Sequence, residues 1–261
     1  MLQRLYSVWS WVVTAIVAVI WLPWLALVFL VTVPFDPGRY TVGRWFRRAA
    51  VVSVALNPLW RFRTSGVRIT DPRRPYVAVS NHESLADIFL ISHLPWEMKW
   101  LSKEAIFRIP VMGWMMSLAG DIAVRRTERS SRAEALEECR KRLRNHVSVM
   151  IFPEGTRSRT DELLPFKDGA FRLAVDAGVP ILPLVVAGTR GAMRKDSLLF
   201  GRSRAEVRAL EPISTEGLTV ADVPALRERV RSLIVAARAE LMRELAEGGV
   251  PPQPSKQVTN A

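Results

Sequence analysis

The stretch YVAVSNHESLAD, from Tyr76 to Asp87, decides the fold of this chain. Its first five residues, Tyr76–Ser80, are aromatic, β-branched or small and carry no charge, which predicts a buried strand. The residues from Ser84 to Leu94 predict a helix. A buried strand followed closely by a helix is the building unit of an α/β domain.

The same alternation of apolar runs and helical stretches continues on both sides of this unit, from about Gly66 onward. Further strands are predicted at Lys99–Ser102, Asp121–Val124, Val147–Phe152, Ile181–Val186 and Glu206–Leu210, and further helices at Pro110–Leu118, Arg132–Asn145, Asp168–Ala177 and Asp222–Leu245. This pattern predicts an α/β domain over residues 63–247, in which helices flank a mixed, mostly parallel sheet. Residues 248–261 are rich in Pro and Gly and are predicted to be disordered.

The N-terminal segment is strongly apolar, with no charged residue from Val8 to Phe35. Roughly 20 apolar residues suffice for a helix to cross a bilayer, and this run is too long for a cleaved signal peptide. Trp21 and Trp24 lie beside Pro23 in the middle of the run, where a kinked helix could enter one leaflet and bend back. The sequence leaves spanning and dipping both open.

A second, amphipathic segment follows at about Thr41–Trp60 and is rich in arginine and aromatic residues. Such a segment next to an apolar helix predicts contact with anionic lipid head groups. Residues 1–62 are therefore predicted to form a two-helix membrane anchor. Because the positive charge lies on the C-terminal side of the anchor, the rest of the chain is expected on the cytoplasmic face of the cytoplasmic or inner membrane.

The whole chain is basic, with 37 Lys and Arg against 25 Asp and Glu, a formal charge of +12. Such a charge favours anionic partners, among them anionic lipids and phosphorylated substrates. Nucleic acid is not expected as a partner, because the chain carries no recognisable nucleic-acid-binding motif. The single cysteine, Cys139, excludes an intrachain disulfide and a cysteine-based zinc site.

The first candidate for chemistry is the pair His82 and Asp87, at the junction of the predicted strand and helix. Active-site groups of open α/β sheets collect where strands end and helices begin. An aspartate bound to one imidazole nitrogen fixes the tautomer, so that the other nitrogen can remove a proton from a substrate hydroxyl. A buried histidine with a purely structural role is the competing interpretation.

The second candidate is Phe152-Pro153-Glu154-Gly155-Thr156-Arg157-Ser158, which also follows a predicted strand. Gly155 allows a tight turn that leaves backbone amides available, and Thr156, Arg157 and Ser158 add two hydroxyls and a guanidinium. These groups together predict a phosphate-binding loop. A solvated turn with ordinary surface arginines is the alternative.

With both motifs in view, the chain resembles the glycerophospholipid acyltransferases, in particular the bacterial 1-acyl-sn-glycerol-3-phosphate (lysophosphatidate) acyltransferases. Four ordered blocks carry the resemblance: Asn81–Asp87, Gly120–Arg126, Phe152–Ser158 and Val179–Pro183. The second block departs from the family pattern, because Ala123 replaces an aromatic residue and Arg125 precedes Arg126.

The resemblance implies that His82 is the general base and that Asp87 orients it. The lysophosphatidate hydroxyl would attack the thioester of acyl-CoA or acyl-carrier protein and give phosphatidic acid, without a metal, a cofactor or an acyl-enzyme. The implied substrate-binding residues are Lys103, Arg126, Glu154, Gly155, Thr156, Arg157, Ser158 and Lys167, with Glu154 contacting the glycerol part or organising the loop.

Two alternatives remain open at this point. Within the family, the acceptor could be glycerol-3-phosphate or another lyso-lipid, such as a lyso-ornithine lipid, because these enzymes share the motifs. In a different class, the chain could be an inactive protein that binds a membrane surface, which would keep the anchor but not require His82 with Asp87.

Overall fold

The chain folds as a hydrophobic helical hairpin followed by an α/β unit, in a computed structural model that describes residues 1–125, 127–158, 160–194 and 196–248. The helices are α1 (Leu2–Thr32), α2 (Tyr40–Ala55), α3 (Ala86–Ile91), α4 (Glu104–Phe107), α5 (Met112–Ala119), α6 (Arg129–Arg144), α7 (Gly169–Ala177) and α8 (Val223–Ala246). The strands are β1 (Trp60–Gly66), β2 (Val77–Ser80), β3 (Met98–Lys103), β4 (Ile122–Val124), β5 (Ser148–Ile151), β6 (Ile181–Ala187) and β7 (Ser203–Ala209). The predicted tail falls almost wholly outside the described residues, which end at Gly248.

The seven strands form one sheet in the order β1-β7-β6-β2-β5-β3-β4. The five strands from β6 to β4 run parallel to one another, while β7 is antiparallel to β6 and parallel to β1. The prediction of a mixed, mostly parallel sheet is therefore confirmed. Because the five parallel strands point the same way, their carboxyl ends share one edge of the sheet.

Both faces of the sheet are covered, because successive side chains of a strand point to opposite faces. Val77 and Val79 of β2 belong to the core formed with α6, α7 and α8. Ala78 and Met150 belong to the core on the other face, which includes residues of α3. Strands buried on both faces explain why β2, β5 and β6 appear as continuous apolar runs in the sequence.

The N-terminal segment forms an antiparallel helical hairpin of α1 and α2. The Trp21 indole donates to the carbonyl oxygen of Trp45 (2.8 Å), and the Trp9 indole donates to that of Leu56 (3.2 Å). The only described helix long and apolar enough to cross a membrane is α1. It continues without interruption through Pro23, and the chain reverses at residues 33–39, so the bend expected at Pro23 is not where the chain turns back.

The hairpin is joined to the sheet by four buried charged side chains. The Arg47 guanidinium of α2 pairs with the carboxylates of Asp121 and Glu97, and Lys99 Nζ donates to Glu97 Oε1 at 3.0 Å. Lys99 also donates to the carbonyl oxygen of Arg39 in the hairpin turn, at 2.7 Å. Two cations thus balance two carboxylates where no water can solvate them, and this balance makes the junction sensitive to loss of one partner.

Strand β1 and helix α3 differ from the sequence predictions, and the short helix α4 was not predicted. The edge strand β1 was missed, because Arg61 and Arg63 alternate with Trp60 and Phe62 and continue the positive charge of the predicted anchor, which was drawn to residue 62. The helix predicted from Ser84 is shorter, because α3 begins only at Ala86. The side chain of Ser84 is instead held outside the helix, where its hydroxyl donates to the carbonyl oxygen of Met193 at 2.8 Å.

Candidate active site

Predicted site residues lie at the carboxyl ends of three parallel strands, along their shared edge of the sheet. His82 follows β2, the Glu154–Ser158 segment follows β5, and Lys103 ends β3. Arg126 follows β4 in the chain but lies outside the described residues. Since β2 and β5 are neighbours in the sheet, the His82 loop and the Glu154–Ser158 loop lie side by side.

The two residues predicted to form a base are in contact. His82 Nδ1 lies 2.7 Å from Asp87 Oδ2. The Asp87 side chain is fully buried, whereas the His82 side chain keeps 14% of its surface exposed. A carboxylate at Nδ1 selects the tautomer with the proton on that nitrogen, so Nε2 carries the lone pair that can accept a proton from a substrate.

The Asp87 carboxylate is itself held by three further donors. Oδ2 accepts the backbone amides of Glu83 (2.8 Å) and Ser84 (3.0 Å), and Oδ1 accepts the hydroxyl of Thr189. A carboxylate bound by this many donors cannot rotate. The His82 ring therefore has a fixed anionic partner on the side away from the substrate.

The imidazole ring is also fixed from its face. The Phe152 ring, at the end of β5, stacks on the His82 ring with centroids 3.9 Å apart and planes 15° apart. The preceding residue, Asn81, anchors the end of β2 to β6, because its side-chain amide donates to and accepts from the backbone of Val186. The histidine is thus positioned by two strands and an aromatic ring.

Glu154 ties the two loops together. Its Oε1 accepts the amide of His82 at 2.7 Å, and its Oε2 accepts the amide of Leu164 at 2.9 Å. Only 3% of Glu154 is exposed. Burial raises the pKa of this carboxyl, while the amides of Leu164 and His82 lower it. Of its two predicted roles, the structure favours organising the loop over contacting the glycerol part, since both oxygens have internal partners.

The side chain of Ser158 is likewise turned inward. Its hydroxyl donates to the carbonyl oxygen of Glu162 (2.7 Å), and its amide donates to that of His82 (3.1 Å). The substrate contact predicted for Ser158 is therefore corrected to a structural one, because the hydroxyl closes the loop and the amide links it to the base.

Gly155 shapes the turn, as its positive φ of +73° requires. Its amide donates to the Phe152 carbonyl oxygen at 3.0 Å. The sequence predicted that this amide would be available to a ligand, whereas the structure shows it bound within the turn. A Cβ at this position would lie 2.8 Å from Lys167 Nζ. The close approach places the Lys167 ammonium over the turn, in the loop that neighbours the His82 loop.

Three of the predicted phosphate ligands thus lie on this loop with their side chains at least partly exposed. Thr156 and Lys167 are exposed, and Arg157 is half-buried. Lys103 is exposed at the end of β3, two strands from β2, and its backbone is paired with that of Val124. It belongs to the same edge as the loop but lies farther from His82.

Sequence inspection missed three side chains that complete the site. Thr189, in the short 3-10 turn after β6, binds Asp87. Arg238 of α8 pairs with the buried Glu83, its Nε 2.5 Å from Glu83 Oε1, and donates to the Asp161 carbonyl oxygen at 2.9 Å. Burial raises the pKa of Glu83, and the charge of Arg238 lowers it. Arg190 donates to the Ser158 carbonyl oxygen at 3.4 Å.

Comparisons with known proteins point to one family. A family model described as Acyltransferase matches residues 61–187. The 1-acyl-sn-glycerol-3-phosphate acyltransferase of Saccharomyces cerevisiae is 38% identical over 176 residues, which are 65% of this chain and 57% of that protein. The alpha form from Homo sapiens is 36% identical over 191 residues, which are 72% of this chain and 68% of that protein.

The fold is similar to a solved structure, the crystal structure of the 1-acyl-sn-glycerophosphate (LPA) acyltransferase PlsC from Thermotoga maritima. The TM-score is 0.73, with 92% of this chain and 97% of that chain covered. At 24% identity this likeness concerns the fold.

The fold and the family match place the chain among the acyltransferases, and its site holds a fixed His–Asp pair beside a basic loop at the carboxyl edge of a parallel sheet. The chain belongs to the family of the 1-acyl-sn-glycerol-3-phosphate acyltransferases. The resemblance carried by the four sequence blocks is thereby confirmed. The chain spans 57% of the length of the yeast relative and 68% of that of the human one.

Proposed function

We propose that the chain transfers a fatty acyl group from an acyl thioester to the free sn-2 hydroxyl of 1-acyl-glycerol-3-phosphate, giving phosphatidic acid for phospholipid biosynthesis. The observation that carries this proposal is the 2.7 Å contact between His82 Nδ1 and Asp87 Oδ2, which leaves Nε2 as the base beside a cationic loop. The relatives bear the name of this activity.

In the proposed reaction, His82 Nε2 removes the proton of the acceptor hydroxyl while its oxygen attacks the thioester carbonyl carbon. The tetrahedral intermediate then collapses, the C–S bond breaks and an ester C–O bond remains. The leaving thiolate takes the proton from the imidazolium, which restores neutral His82. Asp87 stabilises the transient imidazolium charge. This sequence of steps needs neither a cofactor nor a metal ion.

The acceptor phosphate is assigned to the loop that follows β5. Arg157 offers a planar guanidinium that can donate two parallel hydrogen bonds to phosphate oxygens, and Thr156 and Lys167 add a hydroxyl and an ammonium. Arg126 is retained as a further phosphate ligand, and Lys103 as a contact to the phosphate or to the donor. Glu154 supports this arrangement by holding the loop against His82.

The acceptor and product are lipids, so the site has to work at a membrane. The apolar helix α1 is consistent with membrane association. In our proposal the α1–α2 hairpin anchors the chain in the cytoplasmic or inner membrane, with the catalytic domain on the cytoplasmic face and basic residues near anionic lipids. The donor on that side would be acyl-CoA or acyl-carrier protein.

The test is an assay of the purified chain with lysophosphatidate, glycerol-3-phosphate and lyso-ornithine lipid, each with acyl-CoA and with acyl-carrier protein as donor. We expect phosphatidic acid from lysophosphatidate and a much lower rate with the other acceptors. A preference for another acceptor would contradict the assigned substrate. Absence of transfer to every acceptor by a folded protein would contradict the enzymatic proposal and favour a membrane-binding protein.

A further inference from the structure

The connection between β6 and β7 contains a short hairpin, of which the structure describes residues 193–194 and 196–200; we call these residues the β6–β7 lobe. A bridge between Met193 and Phe200 closes its base, and the Gly201 amide donates to the Ala192 carbonyl oxygen at 2.9 Å. A side chain at Gly201 would collide with the carbonyl oxygen of Gly191. The base of the lobe is therefore fixed.

The lobe rests on the first turns of α1. The Trp11 indole donates to the carbonyl oxygen of Leu198 at 2.9 Å, and the Trp11 ring meets the Phe200 ring edge-on, with centroids 5.3 Å apart. The Phe200 amide donates to the Ser7 hydroxyl at 2.9 Å. The lobe thus has a fixed position relative to the apolar helix.

The tip of the lobe exposes two large apolar side chains. Leu198 is 74% exposed and Leu199 is 42% exposed. The neighbouring surface of α1 is also apolar and exposed, including Val8 and Val12. An apolar patch that continues from a loop onto an apolar helix marks an interaction site more than a solvated surface.

Cations flank this apolar tip. Arg194 and Arg202 are exposed on either side of it in the chain. Apolar side chains between arginines match the layered chemistry of a phospholipid leaflet, in which acyl chains lie beneath phosphates. This charge pattern favours an anionic lipid surface over a second copy of the chain, whose formal charge of +12 would oppose association.

Residues at the start of the same lobe help to hold the catalytic pair in position. The Ser84 hydroxyl donates to the Met193 carbonyl oxygen at 2.8 Å, and Thr189, just before the lobe, binds Asp87. The tip and the base are thus connected by a few residues of backbone.

We propose that the β6–β7 lobe is a second membrane contact, distinct from the α1–α2 hairpin. Leu198 and Leu199 enter the apolar layer of an anionic phospholipid leaflet, and Arg194 and Arg202 bind its phosphates. The lobe then forms a lip beside His82 over which a lipid acceptor leaves the leaflet. The role of the lip in catalysis rests on the function proposed above, whereas the membrane contact is measurable without it.

The contact can be measured with a fluorophore on a unique thiol. Cys139 is fully buried, so an environment-sensitive dye will attach to the new thiol in Leu198→Cys. Leu233→Cys is the control, because Leu233 is an exposed leucine too (42%, against 74% for Leu198) but lies on α8, which packs on the opposite face of the sheet from α3. The full chain is reconstituted in vesicles of phosphatidylcholine and phosphatidylglycerol.

We expect the fluorescence emission of the dye at position 198 to shift to shorter wavelength in vesicles. Lipids brominated on their acyl chains should quench this emission, and iodide in the aqueous phase should not. The emission of the dye at position 233 should not shift, should not be quenched by brominated lipids and should be quenched by iodide. Equal iodide quenching at both positions would overturn the proposal. So would shielding of position 198 in detergent that rises with protein concentration, because it would reveal a protein partner or a second copy.

A second experiment relates the contact to catalysis. L198S/L199S should transfer acyl groups about 10-fold more slowly to lysophosphatidate embedded in vesicles, since two leucines lose their apolar contact. Its rate with a detergent-dispersed short-chain acceptor should match that of the wild type and of the control L233S. R194Q/R202Q should transfer acyl groups more slowly, by about fivefold for each arginine replaced, and only on anionic vesicles.

A failure of the enzymatic function and a failure of the membrane role of the lobe would give different results. If the wild-type chain transfers no acyl group in detergent or in vesicles, the enzymatic function fails, while the dye experiment still decides the membrane contact. If the wild type is active and L198S/L199S is equally active on vesicles, the role of the lobe as a lip is overturned.

Discussion

The substitution Asp87→Asn tests the charge behind the base without removing its hydrogen bonds. The backbone amides of Glu83 and Ser84 both donate to Oδ2, so they require an oxygen at that position in the asparagine. The new amide nitrogen must then take the place of Oδ1, opposite Thr189. The Thr189 hydroxyl can accept from that nitrogen and donate instead to Glu83 Oε2, which lies 3.4 Å away.

This geometry leaves His82 Nδ1 facing an oxygen, so the tautomer and the ring orientation are preserved in the variant. What is lost is a full negative charge next to the imidazolium that forms in the transition state. Two unit charges about 4 Å apart interact by about 4 kcal/mol at an effective dielectric of about 20, and part of this energy returns through the remaining neutral hydrogen bond. A net loss of about 3 to 4 kcal/mol corresponds to a fall in kcat of about 100- to 1000-fold.

The assay follows the thiol released from acyl-CoA with a thiol reagent, at saturating lysophosphatidate. We expect kcat to fall by that factor with KM nearly unchanged, because Asp87 is buried and faces away from the substrate. The double variant H82A/D87N should be no slower than H82A alone, since the aspartate acts only through the imidazole. A D87N enzyme within about fivefold of wild type would contradict a catalytic role for the Asp87 charge, as would independent, additive losses in the double variant.

Three further predictions follow from the described contacts. Arg157→Lys, which keeps the charge but removes the paired donors, and Lys167→Met should each raise KM for lysophosphatidate about 10-fold, with little change in KM for acyl-CoA, as measured by initial rates; unchanged KM would remove these residues from the phosphate site. Lys99→Met leaves Glu97 without its closest cation and should lower the free energy of unfolding by about 3 to 5 kcal/mol in a denaturant titration, whereas loss of the exposed Arg108 should change it by less than about 1 kcal/mol; similar effects would contradict the buried cluster. Burial raises the pKa of the Cys139 thiol to about 12, so it should stay protonated and unreactive to thiol reagents at about pH 8 until the chain unfolds, and rapid reaction of the native protein would contradict its burial.

The sequence was sufficient to predict those parts of the fold and site that depend on local pattern. The run Val77–Ser80 is apolar on both faces, so a central parallel strand followed from it. His82 and Asp87 are close in the chain, and a short loop brings them into contact. The turn at Gly155 followed from a residue type that tolerates positive φ.

The remaining features depend on contacts between distant segments. Thr189 reaches Asp87 across 102 positions, and Arg238 reaches Glu83 across 155. No local spacing signals such pairs, because the sheet order β6-β2-β5 and the packing of α8 create them. The inward orientation of Glu154 has the same origin, since its partners are the amides of a neighbouring loop and of Leu164.

The proposed function depends on His82 as the base in acyl transfer to lysophosphatidate. The most direct measurement compares wild type with His82→Ala, both purified and shown to be folded by the same thermal transition, and follows phosphatidic acid formed from lysophosphatidate and acyl-CoA. Loss of a general base predicts a fall in kcat of about 100- to 10,000-fold. Phosphatidic acid formed by the alanine variant at the wild-type rate would contradict the account.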